Sequence, residues 1–379
     1  MDFRKTEEQE LLLESLDELL NRVAPEAYIA KKDEAHEPLT EVLKALYDNG
    51  FAQLGIPEEF GGTPCDNLTL AMLSEEIGRH GLPALLGNMV SIKDILDFGN
   101  AEQQKAVLEL VAQGKPGFSL GISEPQAGSD VTAIRTTATR EGDTVIFNGV
   151  KTFQTGSQGN KYTLLLTRDL DNPKPHQAMS MWLVPMDLPG ISVHPLRKVA
   201  WWWTDTNEVY FDNVRAPASC LVGREGNGFM QLMANFEVER LLMAASALGI
   251  AEAAFEDACR YANQRVQFGQ PIGRFQLIQE KIANMAVKIE NMRNIVYRTA
   301  WLIDNKIPAN TECAMAKLYC AQAGFEICDD ALQIFGGMGL MMDLRIQRLW
   351  RDMRVNRIGG GTDEIMITII AKDMLKKYQ

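Results

Sequence analysis

The sequence predicts an α+β protein in three successive parts: an N-terminal helical domain, a middle antiparallel β domain and a C-terminal antiparallel bundle of long helices. Three observations predict it. Residues 4 to about 115 carry leucines at helical spacing. The next ~110 residues hold short β-rich runs separated by Gly, Pro, Asn and Asp. From about residue 226, apolar positions again advance by three or four, over much longer stretches. The expected domains are residues 1–115, 116–225 and 226–379.

The first part opens with TEEQELLLESLDELLNRV, in which Thr6 and Gln9 have the spacing of a capping box. LTEVLKALYDNG ends in Asn-Gly, a helix stop, and TLAMLSEEIGRHG repeats the theme. In the middle part DTVIFNGVKTF reads as two β runs joined by an Asn148-Gly149 turn. YTLLLTRD, SMWLVPM, GISVHPL and NEVYFDNV follow as further strands. In the last part residues 274–307 contain no Pro or Gly, and positions 278, 282, 285, 289, 292 and 296 are apolar. That pattern predicts one helix of about 30 residues, about 45 Å long, a length suited to an antiparallel bundle.

A net charge of −12 argues against nucleic acid or an anionic membrane surface as the main partner. No apolar run approaches the ~20 residues of a membrane span. The start MDFRKTEEQE lacks a signal-peptide pattern and predicts a cytoplasmic location. Six scattered cysteines without a Cys-x-x-Cys read as reduced thiols, with Cys313 and Cys320 in a helical core. Four widely separated histidines predict no metal.

No Gly-x-Gly-x-x-Gly opens a βαβ unit, so a Rossmann nucleotide site is not expected. GISEPQAGSD (121–130) sits where helices give way to strands and offers backbone N–H groups and hydroxyls. In KTFQTGS (151–157), Phe153 and Thr155 alternate and so share a strand face, an aromatic ring beside a hydroxyl. That pair suits a flat heterocycle, although an ordinary core pair has the same pattern. In NFEVERLLMAASALGIAEAAF, residues 241–251 are apolar or small except Ser246. Glu239 has Leu232, Asn235, Phe236, Leu242, Met243 and Ser246 as helical neighbours. Such a carboxyl has a raised pKa unless it is paired, and a salt bridge of Glu237 or Glu239 with Arg240 is the structural alternative.

Together these segments resemble the acyl-CoA dehydrogenase family over essentially the whole chain. EPQAGSD, QRVQFGQPIGRFQLIQEK, QIFGGMG and RIGGGTDEI fall in order on its motifs. Within the family, FEDACRYANQRVQFGQPIGRFQLIQEK and GREGNGF are most similar to the crotonobetainyl-CoA reductase group of bacterial members.

The resemblance implies the family's fold, with the C-terminal part a four-helix bundle, and a homotetramer binding FAD at subunit interfaces and exchanging electrons with an electron-transfer flavoprotein. It places Ser123, Gly128 and Ser129 at the flavin and substrate site, with Phe153 and Thr155 on the isoalloxazine. It places Arg265, Gln267, Phe268, Gln333 and Gly337 on the diphosphate and adenosine of a neighbouring subunit's FAD, and Thr362 on the dinucleotide. Phe236, Glu237 and Arg240 would meet the CoA moiety. The implied chemistry removes a proton α to a thioester and a hydride from the β carbon, or the reverse, on a short-chain or functionalised acyl-CoA. The glutamate that serves many relatives as base is replaced here by Gly360. A subset of the isovaleryl-CoA dehydrogenase type carries its base immediately before the helix arginine, at the position of Glu239. The resemblance therefore implies Glu239 as catalytic acid/base. The Gly360 N–H would be left for the thioester oxygen, and the missing side chain there would leave room for a bulkier acyl group.

Three departures stand out. Gln126 replaces a usual Gly, Phe153 replaces a usual Trp, and Trp201, Trp202 and Trp203 occupy a strand position where relatives have smaller or charged residues. Rival readings are a fold relative with desulfinase or monooxygenase chemistry and a non-enzymatic scaffold.

Overall fold

The structure, a computed structural model, describes residues 4–82, 87–113, 115 and 117–379. The expected first domain boundary falls at residue 116, outside the described residues. Six helices come first: α1 (Glu7–Val23), α2 (Glu26–Ala35), α3 (Thr40–Asp48), α4 (Asn67–Arg79), α5 (Gly87–Phe98) and α6 (Ala101–Ala112). Thr6 and Gln9 close the capping box on α1, which satisfies two otherwise orphaned N–H groups.

Two four-stranded sheets follow. One has the order β1 (Ser119–Gly121), β4 (Tyr162–Arg168), β5 (Met179–Pro185), β8 (Leu221–Val222); the other has β2 (Thr137–Glu141), β3 (Thr144–Thr155), β7 (Thr206–Pro217), β6 (Ile191–Pro195). All pairings in these sheets are antiparallel except β1 with β4. Val145, Phe147, Leu165, Trp182 and Val209 fill a shared core.

The Asn148-Gly149 turn is not formed. β3 runs straight through it as one twelve-residue strand, with a register shift between Phe147 and Gly149. Gly149 has φ +149°, and a Cβ there would lie 2.4 Å from Thr136 Oγ1. The Asn-Gly pair marks a bulge rather than a hairpin, because a bulge calls on the same small residue.

Helices α7 (Gly228–Gln264), α8 (Gln276–Asp304), α9 (Asn310–Phe335), α10 (Arg345–Met353) and α11 (Asp363–Lys377) complete the chain, with a hairpin of β9 (Val266–Gln267) and β10 (Gln270–Pro271) after α7. The expected long helix is α8, with Met285, Ile289, Met292 and Val296 buried. Residues 241–251 are buried throughout. All six cysteines are free thiols, and Cys313, Cys320 and Cys328 are buried. Among the described residues no helix is long and apolar enough to cross a membrane.

The three tryptophans do not lie on a strand. They form a turn before β7, with Trp201 at φ +61°. The turn ties the three parts together. Trp201 N and Nε1 donate to Asp352 Oδ1 and O at 2.7 and 3.1 Å. Trp202 stacks on His36 with centroids 3.6 Å apart, and Leu39 N donates to Trp203 O at 2.9 Å. Burial raises the Asp352 carboxyl to about 6, although the Trp201 N–H and nearby arginines favour its charge.

Candidate active site

The predicted site residues gather into three groups. In the first, residues 121–130 dock on β3. Thr152 N donates to Ser123 O at 2.9 Å. Glu124, 3% exposed, accepts from Arg135 N, Thr136 N and Lys151 Nζ at 2.7, 3.0 and 2.8 Å. Lys151 is fully buried and also donates to Ile122 O at 3.0 Å. Burial alone would raise the Glu124 carboxyl; the Lys151 ammonium and the amide donors outweigh it and hold it at about 2. The pair is therefore ionised, and it fixes the loop. Gln126 donates to Glu124 Oε2 at 2.6 Å, which accommodates the departure from glycine.

This scaffold presents Phe153 and Thr155, both exposed, on the free face of β3. Phe153 is 70% exposed and sits in the left-handed region at φ +56°, beside a second register shift. A large ring held outward at a backbone cost is what a flat ligand needs. Ser123 is partly buried, Gly128 and Ser129 are exposed, and a Cβ on Gly128 would meet nothing within 4 Å.

The second group centres on α7. Glu239 is partly buried, and burial raises its carboxyl above the usual range against the opposing pull of Arg240. Glu237 is shifted the same way for the same reason. The expected alternative, a salt bridge to Arg240, is not formed: among the described residues no carboxylate lies within 4.0 Å of that guanidinium. Arg240 is 5% exposed, reaches only Asn310 Oδ1 at 3.2 Å, lies over the Phe236 ring at 5.5 Å and leaves Nε without a partner. A buried guanidinium without a counter-ion fits an anionic ligand.

One turn after Glu239, Met243 meets the glycine loop. Gly360 and Gly361 have φ +63° and +98°, so these positions require glycine. A Cβ at Gly360 would lie 2.5 Å from Met243 Sδ. The expected room beside Gly360 is thus taken up by the Met243 thioether, a correction that only packing could supply. Lys317, 1% exposed on α9, donates to Gly361 O at 2.5 Å and pins the loop. Thr362 caps α11 through its hydroxyl, and Asp363 receives Arg357 Nε at 2.7 Å.

The third group lies at the far end of α7. Arg265 is the C-cap, and Gln267 and Phe268 sit on the β9–β10 hairpin, whose Phe268 and Gly269 both have positive φ. Phe268 is 95% exposed. Tyr261 stacks on Phe335 at 4.3 Å and so places the hairpin beside Gln333 and Gly337, which are exposed at the end of α9. Arg265 is about 39 Å from Glu239 along one unbroken helix.

The chain matches the acyl-CoA dehydrogenase N-terminal domain over residues 6–115, the middle domain over 119–214 and the C-terminal domain over 226–375. It belongs to the acyl-CoA dehydrogenase family. It is 48% identical to the probable acyl-CoA dehydrogenase YdiO of Escherichia coli strain K12, over all of both chains. Butyryl-CoA dehydrogenase from Megasphaera elsdenii superposes with a TM-score of 0.92 at 29% identity, covering 99% of this chain and 100% of that one. A structure from work on the electron transferring flavoprotein of Acidaminococcus fermentans gives 0.93 at 32% identity, with 99% and 100% covered. The chain is therefore an oxidoreductase of acyl-CoA substrates, with FAD as its cofactor. The outward Phe153 and the open backbone at Gly128 fit a flat group of that kind.

Sequence reasoning missed Lys151, Lys317, Asp94 and Met243. Lys151 and Lys317 carried a signal, a lone charge inside an apolar segment; Asp94, between Lys93 and Asp97, did not. Met243 carried none, because a methionine in a buried helix is ordinary.

Proposed function

We propose that this acyl-CoA dehydrogenase family member interconverts a short-chain or functionalised acyl-CoA and its 2-enoyl-CoA, with Glu239 as acid/base. The observation that carries the reading is Glu239 itself: a partly buried carboxyl with a raised pKa, unpaired with Arg240, one turn from Met243 against Gly360. A thioester α-proton is weakly acidic, and a base of raised pKa is matched to it. Bound FAD supplies the acceptor or donor of the β-carbon hydride.

The chain's own residues do the rest. Glu239 takes the α-proton or returns it. The Gly360 N–H, on a loop pinned by Lys317, donates to the thioester oxygen as enolate character develops. Arg240, with Phe236 and Glu237, holds the CoA moiety. Ser123, Gly128 and Ser129 line the flavin and the acyl thioester, and Phe153 and Thr155 cover the flavin ring. The same carboxyl serves both directions, removing the α-proton in dehydrogenation and returning it in 2-enoyl-CoA reduction; the resemblance to crotonobetainyl-CoA reductases supports reduction of a crotonobetainyl-CoA-like substrate as one reading. Electrons pass to or from an electron-transfer flavoprotein.

We infer a homotetramer from the family resemblance, and the third group supports contact with a neighbouring chain. Arg265, Gln267, Phe268, Gln333 and Gly337 are too far from Glu239 to serve the same site in one chain, so they hold a neighbour's FAD, while Thr362 contacts the dinucleotide. Leu277, Val287, Leu340 and Met342 are apolar and exposed on the same bundle, as a self-association face requires.

The test is anaerobic. The purified yellow protein is mixed with butyryl-CoA and longer or carnitine-derived thioesters, and flavin absorbance is followed. Bleaching by one short or functionalised acyl-CoA supports the reading. A protein that retains FAD but is bleached by none of them overturns it.

A further inference from the structure

Met243 is buried without belonging to a core. Every other alanine, leucine and isoleucine of the 241–251 run packs in one of the two large apolar cores; among the described residues Met243, 7% exposed, joins neither. It faces the glycine loop instead. Its Cε lies 3.6 Å from where a Cβ on Gly359 would be, and its Sδ 2.5 Å from one on Gly360. The thioether therefore fills the place that a side chain at 360 would take, one helical turn after Glu239.

Neither flank of that contact can retreat. Helix α7 lies backbone on backbone against α4: a Cβ on Gly78 would sit 3.1 Å from both Gly249 Cα and Ile250 N. The loop is held by Lys317, which donates to Gly361 O at 2.5 Å, and by the left-handed backbone at Gly360 and Gly361. Between two fixed backbones, the Met243 side chain sets how much space remains.

We infer that Met243 is a specificity-determining residue: its thioether walls the acyl site at the reacting carbons and excludes thioesters branched at the α or β carbon. The inference deepens the proposed function and rests on Gly360 meeting the thioester oxygen. The α carbon is the carbonyl carbon's immediate neighbour and the β carbon the next, so a methyl on either comes within reach of a group packed on Gly360. An unbranched chain presents only hydrogens there. The substrate class is therefore a straight-chain acyl-CoA or its 2-enoyl-CoA, with any functional group at the far end of the chain.

The test compares isomers of one size. Pentanoyl-CoA, 2-methylbutanoyl-CoA and 3-methylbutanoyl-CoA contain the same atoms, so the ratio of their kcat/KM values, read with an artificial electron acceptor, reports branching alone. Wild type favours the straight isomer by about tenfold or more, as a single misplaced methyl in an apolar pocket does. Met243→Ala removes Cγ, Sδ and Cε, and lowers that ratio by about tenfold through faster turnover of the branched isomers. Met243→Leu, of similar volume, keeps it within about threefold. Met243→Val retains part of the wall, moves the ratio partway and stands in where the alanine variant is too unstable to purify. A second readout needs no turnover. Reduced FAD accepts no further hydride, so calorimetric titration of the anaerobically reduced protein measures binding of the same three thioesters, and the discrimination in Kd falls in the same order.

A turnover ratio moved by less than about threefold in both Met243→Ala and Met243→Val overturns this inference and leaves the proposed function standing. An equal gain for all three isomers does the same, because Met243 would then limit bulk without reading branching. A wild type that does not favour pentanoyl-CoA over its branched isomers overturns it as well. Bleaching of the flavin by no thioester overturns the proposed function and this inference with it.

Discussion

Adding a single methyl group at Gly360 tests whether this loop depends on the absence of a side chain. In Gly360→Ala the backbone must hold alanine at φ +63°, which costs about 1–2 kcal/mol. The new Cβ would also sit 2.5 Å from Met243 Sδ and 3.5 Å from its Cε, so the thioether must leave its packed position. Overpacking of that kind adds about 1–3 kcal/mol. Gly360→Ala should therefore lower the unfolding free energy of the FAD-loaded protein by about 2–5 kcal/mol, read from urea denaturation. Met243→Ala removes the obstacle but not the backbone strain. A double-mutant cycle should show a favourable coupling of about 1–3 kcal/mol, the double variant being more stable than the sum of the singles predicts. Strict additivity, or a Gly360→Ala effect below about 0.5 kcal/mol, would refute the packing of Met243 against the glycine.

Other perturbations separate the remaining parts. Glu124→Gln strands the buried Lys151 ammonium and should cost about 3–5 kcal/mol at neutral pH by denaturant melts. Glu124 is a depressed carboxylate, so its stabilisation is present above its ordinary 4.5 and fades as pH falls toward about 2; the variant should show a flatter acid melt across that window. Phe153→Ala should weaken FAD binding about three- to tenfold in a fluorescence titration, reporting loss of one stacking face. Arg265→Ala should weaken it by about ten- to a hundredfold, as removal of a charge-assisted contact does, although Arg265 is far from Glu239 in its own chain. Phe268→Asp should shift the protein to smaller species by light scattering, and an unchanged mass would count against the tetramer.

The sequence made regular elements legible because their signals are local. The α1 capping box, the long α8 and the buried run 241–251 each follow from spacing within one segment. Where a residue type serves two local structures, the reading failed: Asn148-Gly149 is a bulge, and Trp201 to Trp203 form a turn between domains rather than a strand. Residues defined by contacts distant in sequence were hidden. Met243 against Gly360, Asp94 beneath Asn235 and Lys317 on Gly361 join positions on different helices, which periodicity cannot pair. The absence of a salt bridge from Glu237 to Arg240 was equally hidden, because residues three apart on a helix can pair and only the rotamers decide whether they do.

Glu239→Gln tests the central claim most directly. The substitution keeps size and shape and removes only the titrating group. The variant should bind FAD with unchanged visible absorbance, bind acyl-CoA, and lose anaerobic bleaching by at least about a thousandfold in stopped flow. Bleaching at the wild-type rate would contradict the account and move the proton transfer to another group.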